Sequence, residues 1–341
     1  MRYGSFHNLG VVCLAALALP TIGWAQTASL AGTVRDSNGG LLVSVALKLT
    51  DTAKGTSRAT STDSTGNYQF ALLPPGEYQI EAGVAGFQSF QQSGIVLRVD
   101  ERQRLDITLQ VSAVSTAVEV TGSATSVQTE TALSVGAVIE NRRVMELPLN
   151  GRNFNDLSLM APGTFVPNTA SRMGTAFGLI SGGTRDNAGN FLVDGINNND
   201  VTQNQITFQP NVELIQEFKI QNNTYSAEYG RNAGAVVNMV TRSGSNQFHG
   251  DAFEFVRNHY FDARNFFNTQ PADQAPFKRN VFGFTLGGPL NLPKVYNGKD
   301  HTFYFVNYEA RRQRENQTRS TRVLTDQERA GVTDPIARQL A

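Results

Sequence analysis

Apolar side chains alternate with polar ones in two separate stretches of this 341-residue chain, which predicts strands rather than helices. In the first stretch the alternating residues are Val45, Leu47, Leu49, Tyr68, Phe70, Leu72, Tyr78, Ile80, Leu105, Ile107, Leu109 and Val111. Turn sequences rich in Asp, Asn, Gly and Pro separate these runs, at 36–40, 63–67 and 74–76. Short strands at this spacing predict a β-sandwich.

The second stretch, from residue 248 onward, alternates with aromatic residues. Phe282, Phe284 and Leu286 share one predicted face, opposite Gly283, Thr285 and Gly287. The same pattern continues with Tyr304, Val306, Tyr308 and Ala310. One aromatic face and one small or polar face are typical of a transmembrane β-strand, with lipid on one side and a lumen on the other.

Charge and cysteine content exclude several classes of protein. Lys and Arg number 29, as do Asp and Glu, so the excess positive charge of a general nucleic-acid binder is absent. The single cysteine, Cys13, allows neither a disulfide framework nor a thiolate metal site. Cys13 also lies within residues 1–25, which combine Arg2, a short apolar run and small residues before Gln26. This arrangement predicts a secretory signal peptide and an exported mature chain.

The residue pattern in the middle of the chain changes twice, at about residues 112 and 136. Residues 112–135 are rich in Ser, Thr and Ala and have little to bury, which predicts a linker. The β-prone run 118–121 within it is either part of that linker or a docking strand for a sheet edge on another protein. Residues 136–245 predict a small α+β domain, with short helices at 141–146 and 153–160, a helical turn entering a strand at 212–220, and strands at 191–193 and 235–240.

The first stretch resembles the carboxypeptidase regulatory-like domain, through residues 32–36 (GTVRD), 63–70 (DSTGNYQF) and 73–86 (LPPGEYQIEAGVAG). The resemblance implies a seven-stranded transthyretin-like sandwich and no peptidase activity. Its aromatic residues Tyr68, Tyr78, Phe87 and Phe90 allow two interpretations, a carbohydrate-binding face or a packed core. The apolar register of Tyr68 and Tyr78 favours the core.

From about residue 28 to 341 the chain resembles the TonB-dependent outer-membrane receptors, in the subgroup that begins with a carboxypeptidase regulatory-like domain. The segments that carry this resemblance are 147–154 (LPLNGRNF), 182–185 (GGTR), 191–195 (FLVDG), 225–241 (YSAEYGRNAGAVVNMVT), 279–289 (RNVFGFTLGGP) and 301–311 (HTFYFVNYEAR). It implies a mainly β chain with an α+β segment, arranged as a signal peptide (1–25), a sandwich (26–111), a linker (112–135), a plug domain (136–246) and the first strands of a transmembrane β-barrel (247–341).

The same resemblance assigns site residues and partners. A TonB box, the segment that binds the periplasmic protein TonB, is expected at Ala117, Val118, Glu119, Val120 and Thr121. The plug motif is expected at Gly182, Gly183, Arg185, Asp194, Gly195, Tyr229 and Gly230. We expect Arg185 and Asp194 to form charge pairs that brace loops, the alternative being a part in plug rearrangement, and Tyr229-Gly230 to fix a helix end. Outer-membrane lipid of a Gram-negative bacterium and an extracellular ligand, with carbohydrate as one candidate, complete the implied partners.

The implied function is active uptake of a large or scarce ligand, such as a siderophore complex, cobalamin or an oligosaccharide. A plugged barrel of about twenty-two strands needs roughly 220 strand residues. Residues 248–341 suffice for about four or five strands, so we expect the N-terminal part of a receptor that cannot insert stably as a monomer. The alternative from another class is an exported carbohydrate-binding or adhesin-like surface protein.

Catalytic and metal-binding patterns are not recognisable in the sequence. His7, His249, His259 and His301 are scattered, and neither a GxSxG elbow nor a phosphate-binding loop occurs. The run 194–200 fails the EF-hand register because Ile196 occupies the third position, so a polar turn is expected there. The arginines at 311, 312, 314, 319 and 322 predict a lumen or loop stretch, with anion recognition as the alternative. We therefore expect no enzyme, cofactor or metal site.

Overall fold

The computed structural model describes residues 28–111, 118–120, 128–129, 135–149, 151–165, 178–223, 225, 227–230, 232–264, 274, 276–315 and 326. Its strands up to residue 140 are β1 Ala28–Asp36, β2 Ala46–Asp51, β3 Ser57–Ser61, β4 Asn67–Leu73, β5 Gly76–Gly83, β6 Phe90–Leu97, β7 Arg102–Arg104, β8 Ile107–Leu109, β9 Val118–Val120, β10 Gln128–Thr129 and β11 Val135–Glu140. Those that follow are β12 Thr164–Phe165, β13 Ile180–Ser181, β14 Asn190–Val193, β15 Ile196–Asn197, β16 Ile215–Asn223, β17 Val236–Thr241, β18 His249–Asn258, β19 Phe277–Pro289, β20 Asn291–Leu292, β21 Tyr296–Asn297 and β22 Phe303–Glu315.

In the described residues, helical structure is limited to short segments. Helix α1 spans Asn141–Glu146, and two 3-10 helices span Phe154–Met160 and Val212–Leu214. Within the described ranges, no helix is both long enough and apolar enough to cross a membrane. The predicted signal peptide at 1–25 lies outside the described residues.

Strands β1–β10 form the sandwich. One sheet has the order β10-β7-β1-β4, with β8 also paired to β1, and the other has the order β3-β2-β5-β6-β9. Their inward side chains are apolar and fully buried, and they include Leu30, Leu47, Leu49, Ile80, Ile95, Leu97, Leu105 and Ile107. Burying each such side chain contributes about 1.5–3 kcal/mol, so this core stabilises the module. The predicted β-sandwich is confirmed.

The aromatic side chains of the sandwich belong to its core. Tyr68, Tyr78 and Phe90 are buried among the apolar residues, and Phe87 packs against them from a partly buried position. The hydroxyl of Tyr68 donates to the carbonyl of Leu105 (2.7 Å), and that of Tyr78 donates to the carbonyl of Pro74 (2.7 Å). Burial raises the pKa of both phenols. The core interpretation is confirmed, and these rings do not form a carbohydrate-binding face.

Two residues of the predicted alternation lie outside the core. Leu72 is 68% exposed, whereas its neighbour Leu73 is 1% exposed. The β1–β4 register pairs Ala28 with Leu73 but Leu30 with Phe70, so β4 contains one extra residue at this point. This bulge turns the side chain of Leu72 outward, with its φ at 56°. Val111 was also predicted to continue the alternation, but it follows the end of β8 and is exposed.

A five-stranded sheet with the order β11-β16-β17-β14-β15, here called the central sheet, follows the sandwich. Strands β14 and β17 run parallel, and the other neighbours in the sheet run antiparallel. Its buried core includes Val144 of α1 and Phe154 and Leu157 of the first 3-10 helix. The helix predicted at 153–160 is therefore present as a 3-10 helix, and the turn predicted at 212–220 passes into β16 as expected.

Strands β18, β19 and β22 form a three-stranded sheet in that order, here called the terminal sheet. Its two faces differ, since Phe284, Leu286, Val306 and Tyr308 are exposed while Thr285 is only 3% exposed. The rings of Phe284 and Tyr308 stack with centroids 5.9 Å apart. In β19 the predicted two faces are distinct at 284–287, where Phe284 and Leu286 are exposed and Thr285 and Gly287 are buried, whereas Phe282 and Gly283 are both half-buried. Strands β20 and β21 form a short hairpin between β19 and β22.

The chain divides into two compact units. The first contains the described residues up to 250 together with 285–307, and the second contains those of 251–284 and from 308 onward. The sandwich and the central sheet both belong to the first unit, which is where the candidate functional residues lie.

Candidate functional site

The expected docking strand forms an edge strand within its own chain. Strand β9 runs parallel to β6, with Val118, Glu119 and Val120 opposite Phe90, Gln91 and Gln92 respectively. It is the last strand in the order of its sheet. Ala117 and Thr121, the other two residues of the expected box, lie outside the described residues. The edge on which β9 pairs is therefore supplied by the sandwich.

Strand β10 likewise pairs with an edge of the sandwich, in the other sheet. Gln128 and Thr129 pair antiparallel with Arg104 and Gln103 of β7. The segment predicted as a linker thus contributes one short strand to each sheet of the sandwich. Six residues after β10, the chain enters β11, the edge strand of the central sheet.

Strand β16 is buried on both of its faces. Phe218 and Ile220 point into the apolar core of the central sheet. The alternating residues Glu217, Lys219 and Gln221 are also buried, each 7% exposed or less. Buried charges need polar partners, so polar groups from another part of the chain must cover this second face of β16.

That cover is a turn of the sandwich, residues 98–101, between β6 and β7. The ammonium group of Lys219 donates to the carboxylate of Asp100 (3.1 Å) and to the carbonyl oxygens of Val99 (3.3 Å) and Asp100 (3.1 Å). Asp100 adopts a φ of 56°, a conformation that Asp tolerates better than most residues. All three donor positions of the ammonium group are used, so the buried charge is compensated.

Glu217 provides a second connection to the same turn. Its Oε2 atom accepts a hydrogen bond from the backbone N–H of Val99 (2.7 Å). Burial raises the pKa of Glu217 to about 6, against the opposing effects of the Val99 bond and of Arg98. Arg98 in turn forms an ion pair with Glu140 at the end of β11 (2.6 Å). We call this set of contacts between turn 98–101 and the central sheet the junction.

A buried ion pair holds the segment that carries LPLNGRNF. Gly151 and Arg152 both have positive φ, at 85° and 55°. The tight turn directs the guanidinium of Arg152 to the carboxylate of Glu213, and the side chains are 6% and 0% exposed. Removing one partner of such a pair leaves an uncompensated charge in the interior, which costs about 3–5 kcal/mol. The pair therefore ties this turn to the 3-10 helix Val212–Leu214, which leads into β16.

The Asp194-Gly195 pair forms the two-residue turn of the β14–β15 hairpin. Both residues have positive φ (48° and 80°), as a type I′ turn requires. The carboxylate of Asp194 accepts hydrogen bonds from the backbone N–H of Thr241 (2.9 Å) and from its hydroxyl (2.7 Å). The predicted loop bracing is therefore present, but its partner is the neutral Thr241 of β17, which differs from the expected charge pair.

The remaining plug-motif residues lie in separate turns. Gly182 and Gly183 follow β13 with positive φ, and Arg185 lies exposed two residues later. Tyr229 lies in a turn between β16 and β17, where its hydroxyl accepts a hydrogen bond from Asn238 of β17 (3.1 Å). The expectation that Tyr229-Gly230 fixes a helix end is wrong, because neither residue adjoins a helix among the described residues and both lie between strands β16 and β17. Asp194 and Tyr229 are thus both anchored on β17.

The run 194–200 was expected to be a polar turn, but only Asp194 and Gly195 form the turn, since Ile196–Asn197 is strand β15. Asp200 accepts hydrogen bonds from the backbone N–H groups of Thr202, Gln203 and Gln205, and these bonds lower its pKa. In the part of the chain that the structure describes, no three His, Cys, Asp or Glu side chains are grouped as metal ligands.

Sequence reasoning did not single out the charged residues of the junction and of the buried pair, namely Asp100, Arg152, Glu213, Glu217 and Lys219. Strand β16 reads QEFKIQ at 216–221, and alternation of this kind predicts a solvent-facing polar side. Burial of that side depends on the turn at 98–101, more than a hundred residues away in the sequence. No local signal in the sequence distinguishes these charged residues from solvent-facing ones.

Two family models match the chain. The carboxypeptidase regulatory-like domain matches residues 29–110, and the outer membrane β-barrel domain matches residues 240–340. Among solved structures, the siderophore receptor PirA from Acinetobacter baumannii is 21% identical, with 46% of this chain and 22% of that chain covered and a TM-score of 0.32. A 3-chlorocatechol 1,2-dioxygenase from Rhodococcus opacus is 11% identical over 28% of this chain and 63% of that chain, with a TM-score of 0.23. Neither score is high enough to support an argument about fold or function.

A curated relative covers most of the chain. It is the TonB-dependent transporter Oar of Myxococcus xanthus, 28% identical over 306 residues, which is 85% of this chain. The chain spans 28% of the length of that relative. The chain is thus similar to a TonB-dependent transporter over most of its length, and it matches a carboxypeptidase regulatory-like domain followed by an outer membrane β-barrel domain.

Proposed function

We propose that this chain belongs to a receptor that takes up a large or scarce ligand across the outer membrane, driven by TonB. In this proposal residues 1–25 are a signal peptide, 136–246 form the plug, and 247–341 supply the first strands of the barrel. The observation that carries the proposal is the terminal sheet, whose exposed aromatic face follows a compact central sheet braced by buried charges. A siderophore complex, cobalamin or an oligosaccharide would be a suitable ligand.

The physics of such a receptor explains why each part is needed. A barrel that satisfies its backbone hydrogen bonds in lipid must close on itself, and a wide barrel leaves a lumen that side chains cannot fill. A plug must then seal the lumen, and its opening requires a pull from the periplasmic side. An extended segment that adds a strand to the sheet of a partner gives that pull a hydrogen-bonded handle. Residues 117–121, ahead of the central sheet, are the segment we assign to this task.

The alternative of an exported carbohydrate-binding protein receives no support from the sandwich. The rings of Tyr68, Tyr78 and Phe90, which would have to stack on sugars, are buried in its core. We therefore do not retain it as a second function.

Site-directed crosslinking in cells tests the proposal. A Val120→Cys variant, expressed with cysteine variants of the periplasmic domain of TonB, is expected to form a disulfide adduct. The matched control is Ser57→Cys, which is exposed on β3 at the opposite edge of the same sheet and should form none. Equal adduct at both positions, or none at Val120 when an established receptor crosslinks under the same conditions, would contradict the assignment.

A further inference from the structure

We propose that the sandwich and the periplasmic protein TonB compete for the same strand, β9. In the docked state β9 pairs with β6, and binding of the partner removes it from that edge. This inference rests on the proposed function, because it takes residues 117–121 as the segment that the partner binds. It adds an interaction surface, the β6 edge of the sandwich, and a role for the sandwich in controlling access to that segment.

The first argument is the path that a pull must follow. Along the backbone, a force applied at β9 reaches β11 of the central sheet through β10. While β9 is bonded to β6 and β10 to β7, the sandwich takes up that force before the central sheet does. Direct transmission along the backbone to β11 therefore requires both short strands to leave the sandwich. In the docked arrangement the sandwich contacts the central sheet through the junction at β16 instead.

The second argument is the low cost of release. The β6–β9 ladder comprises three residue pairs, and the β7–β10 ladder comprises two. Each backbone hydrogen bond adds little net stability, because the strand bonds to water once it is released. Ladders this short can be exchanged for a longer strand pairing on a partner. By contrast, β2 and β5 pair over six residues and would not be exchanged in this way.

The third argument is the position of β9 in its sheet. Lys48 of β2, Glu81 of β5, Gln91 of β6 and Glu119 of β9 follow one another across the four strands. Because β9 ends this row, it can leave without breaking any other pair of the sheet. The sandwich core, which lies between the inner strands, stays intact when the edge strand departs.

A disulfide lock tests the competition in the full chain. Gln91→Cys with Glu119→Cys joins β6 to β9, and the matched control Lys48→Cys with Glu81→Cys joins β2 to β5 in the same row. Cys13 is replaced by Ala in both. Binding of the purified periplasmic domain of TonB is measured by biolayer interferometry before and after reduction. We expect at least tenfold weaker binding in the oxidised β6–β9 variant, restored by reduction, and no change in the control.

The outcomes separate the two proposals. If the control disulfide forms and the β6–β9 disulfide does not, β9 does not dock on β6 and the competition is overturned, whether or not the partner binds. If the lock forms and binding is unchanged, the partner adds to the outer edge of β9, which also overturns the competition but leaves the proposed function intact. If the lock forms and neither redox state binds, the assignment of residues 117–121 fails, and the competition fails with it.

Hydrogen exchange provides a test that needs no substitution. On addition of the periplasmic domain of TonB to the unmodified chain, competition predicts faster exchange of the backbone amides of residues 90–92 that face β9. Slower exchange at these amides would show that the partner extends the sheet, and would overturn the proposal.

Discussion

Glu217 is a carboxylic acid whose burial makes the junction sensitive to pH. Its pKa rises to about 6 in the folded chain, from an ordinary value of 4.5. The folded state therefore binds the proton more tightly, and the stability that this contributes is present below about pH 4.5 and is lost as the pH rises through 6. A shift of this size corresponds to about 2 kcal/mol.

We predict that Glu217→Gln stabilises the chain at pH 7 relative to the wild type, and that this advantage disappears by about pH 4.5. The glutamine side chain can still accept the hydrogen bond from Val99, so the contact is kept and only the charge is removed. Urea unfolding followed by circular dichroism at a series of pH values measures the difference. The other charges of the junction, Arg98, Asp100, Glu101, Glu140 and Lys219, are common to both proteins and cancel in the comparison. The exposed Glu146→Gln is the control, and a similar pH-dependent gain there would contradict the prediction.

The turn at 147–154 depends on the ion pair between Arg152 and Glu213. We predict that Arg152→Met destabilises the chain by about 3–5 kcal/mol, because the carboxylate of Glu213 is fully buried and loses its counter-charge. The double variant Arg152→Met with Glu213→Leu should recover much of that loss, since no charge is then left inside. The free energies of unfolding in urea of these two variants, of Glu213→Leu alone and of the wild type form a double-mutant cycle that isolates the interaction between the two side chains.

The matched control for this pair is Arg142→Met. Arg142 pairs with Glu146 four residues along α1 at the surface, where solvent screens the interaction. It should leave the unfolding midpoint almost unchanged. A double variant as unstable as Arg152→Met would show that packing, and not charge, holds the turn.

Strands and turns were predictable from sequence where local signals decide them. The Asp194-Gly195 turn and the helical turn before β16 follow from residue preferences and periodicity, and both occur where they were predicted. The outward side chain of Leu72 was not predictable, because the extra residue in β4 depends on its register against β1. The burial of Glu217 and Lys219 was not predictable either, because it depends on a turn far away in the sequence.

The exposed aromatic face of the terminal sheet determines how the whole molecule behaves in solution. Phe284 and Tyr308 stack on this face, with Leu286 and Val306 exposed beside them. We predict that the chain partitions into the detergent phase of a Triton X-114 separation, because an apolar face of this kind is unfavourable in water. Phe284→Asp with Tyr308→Asp should move it toward the aqueous phase.

The control for this prediction is Val201→Asp. Val201 is 86% exposed, but it lies in the turn after β15 and not on the terminal sheet. Its substitution should leave the partition unchanged. A wild-type chain that remains monomeric in the aqueous phase would contradict both this prediction and the assignment of the terminal sheet to a lipid-facing barrel.

The buried ammonium group of Lys219 fastens turn 98–101 to a strand that lies second in the central sheet. As a consequence, the sandwich moves together with β16 when that strand shifts. A fluorophore on the exposed Ser57 would therefore report a displacement that begins deep inside the neighbouring fold. A label on the sandwich would thus make a movement of β16 inside the central sheet measurable.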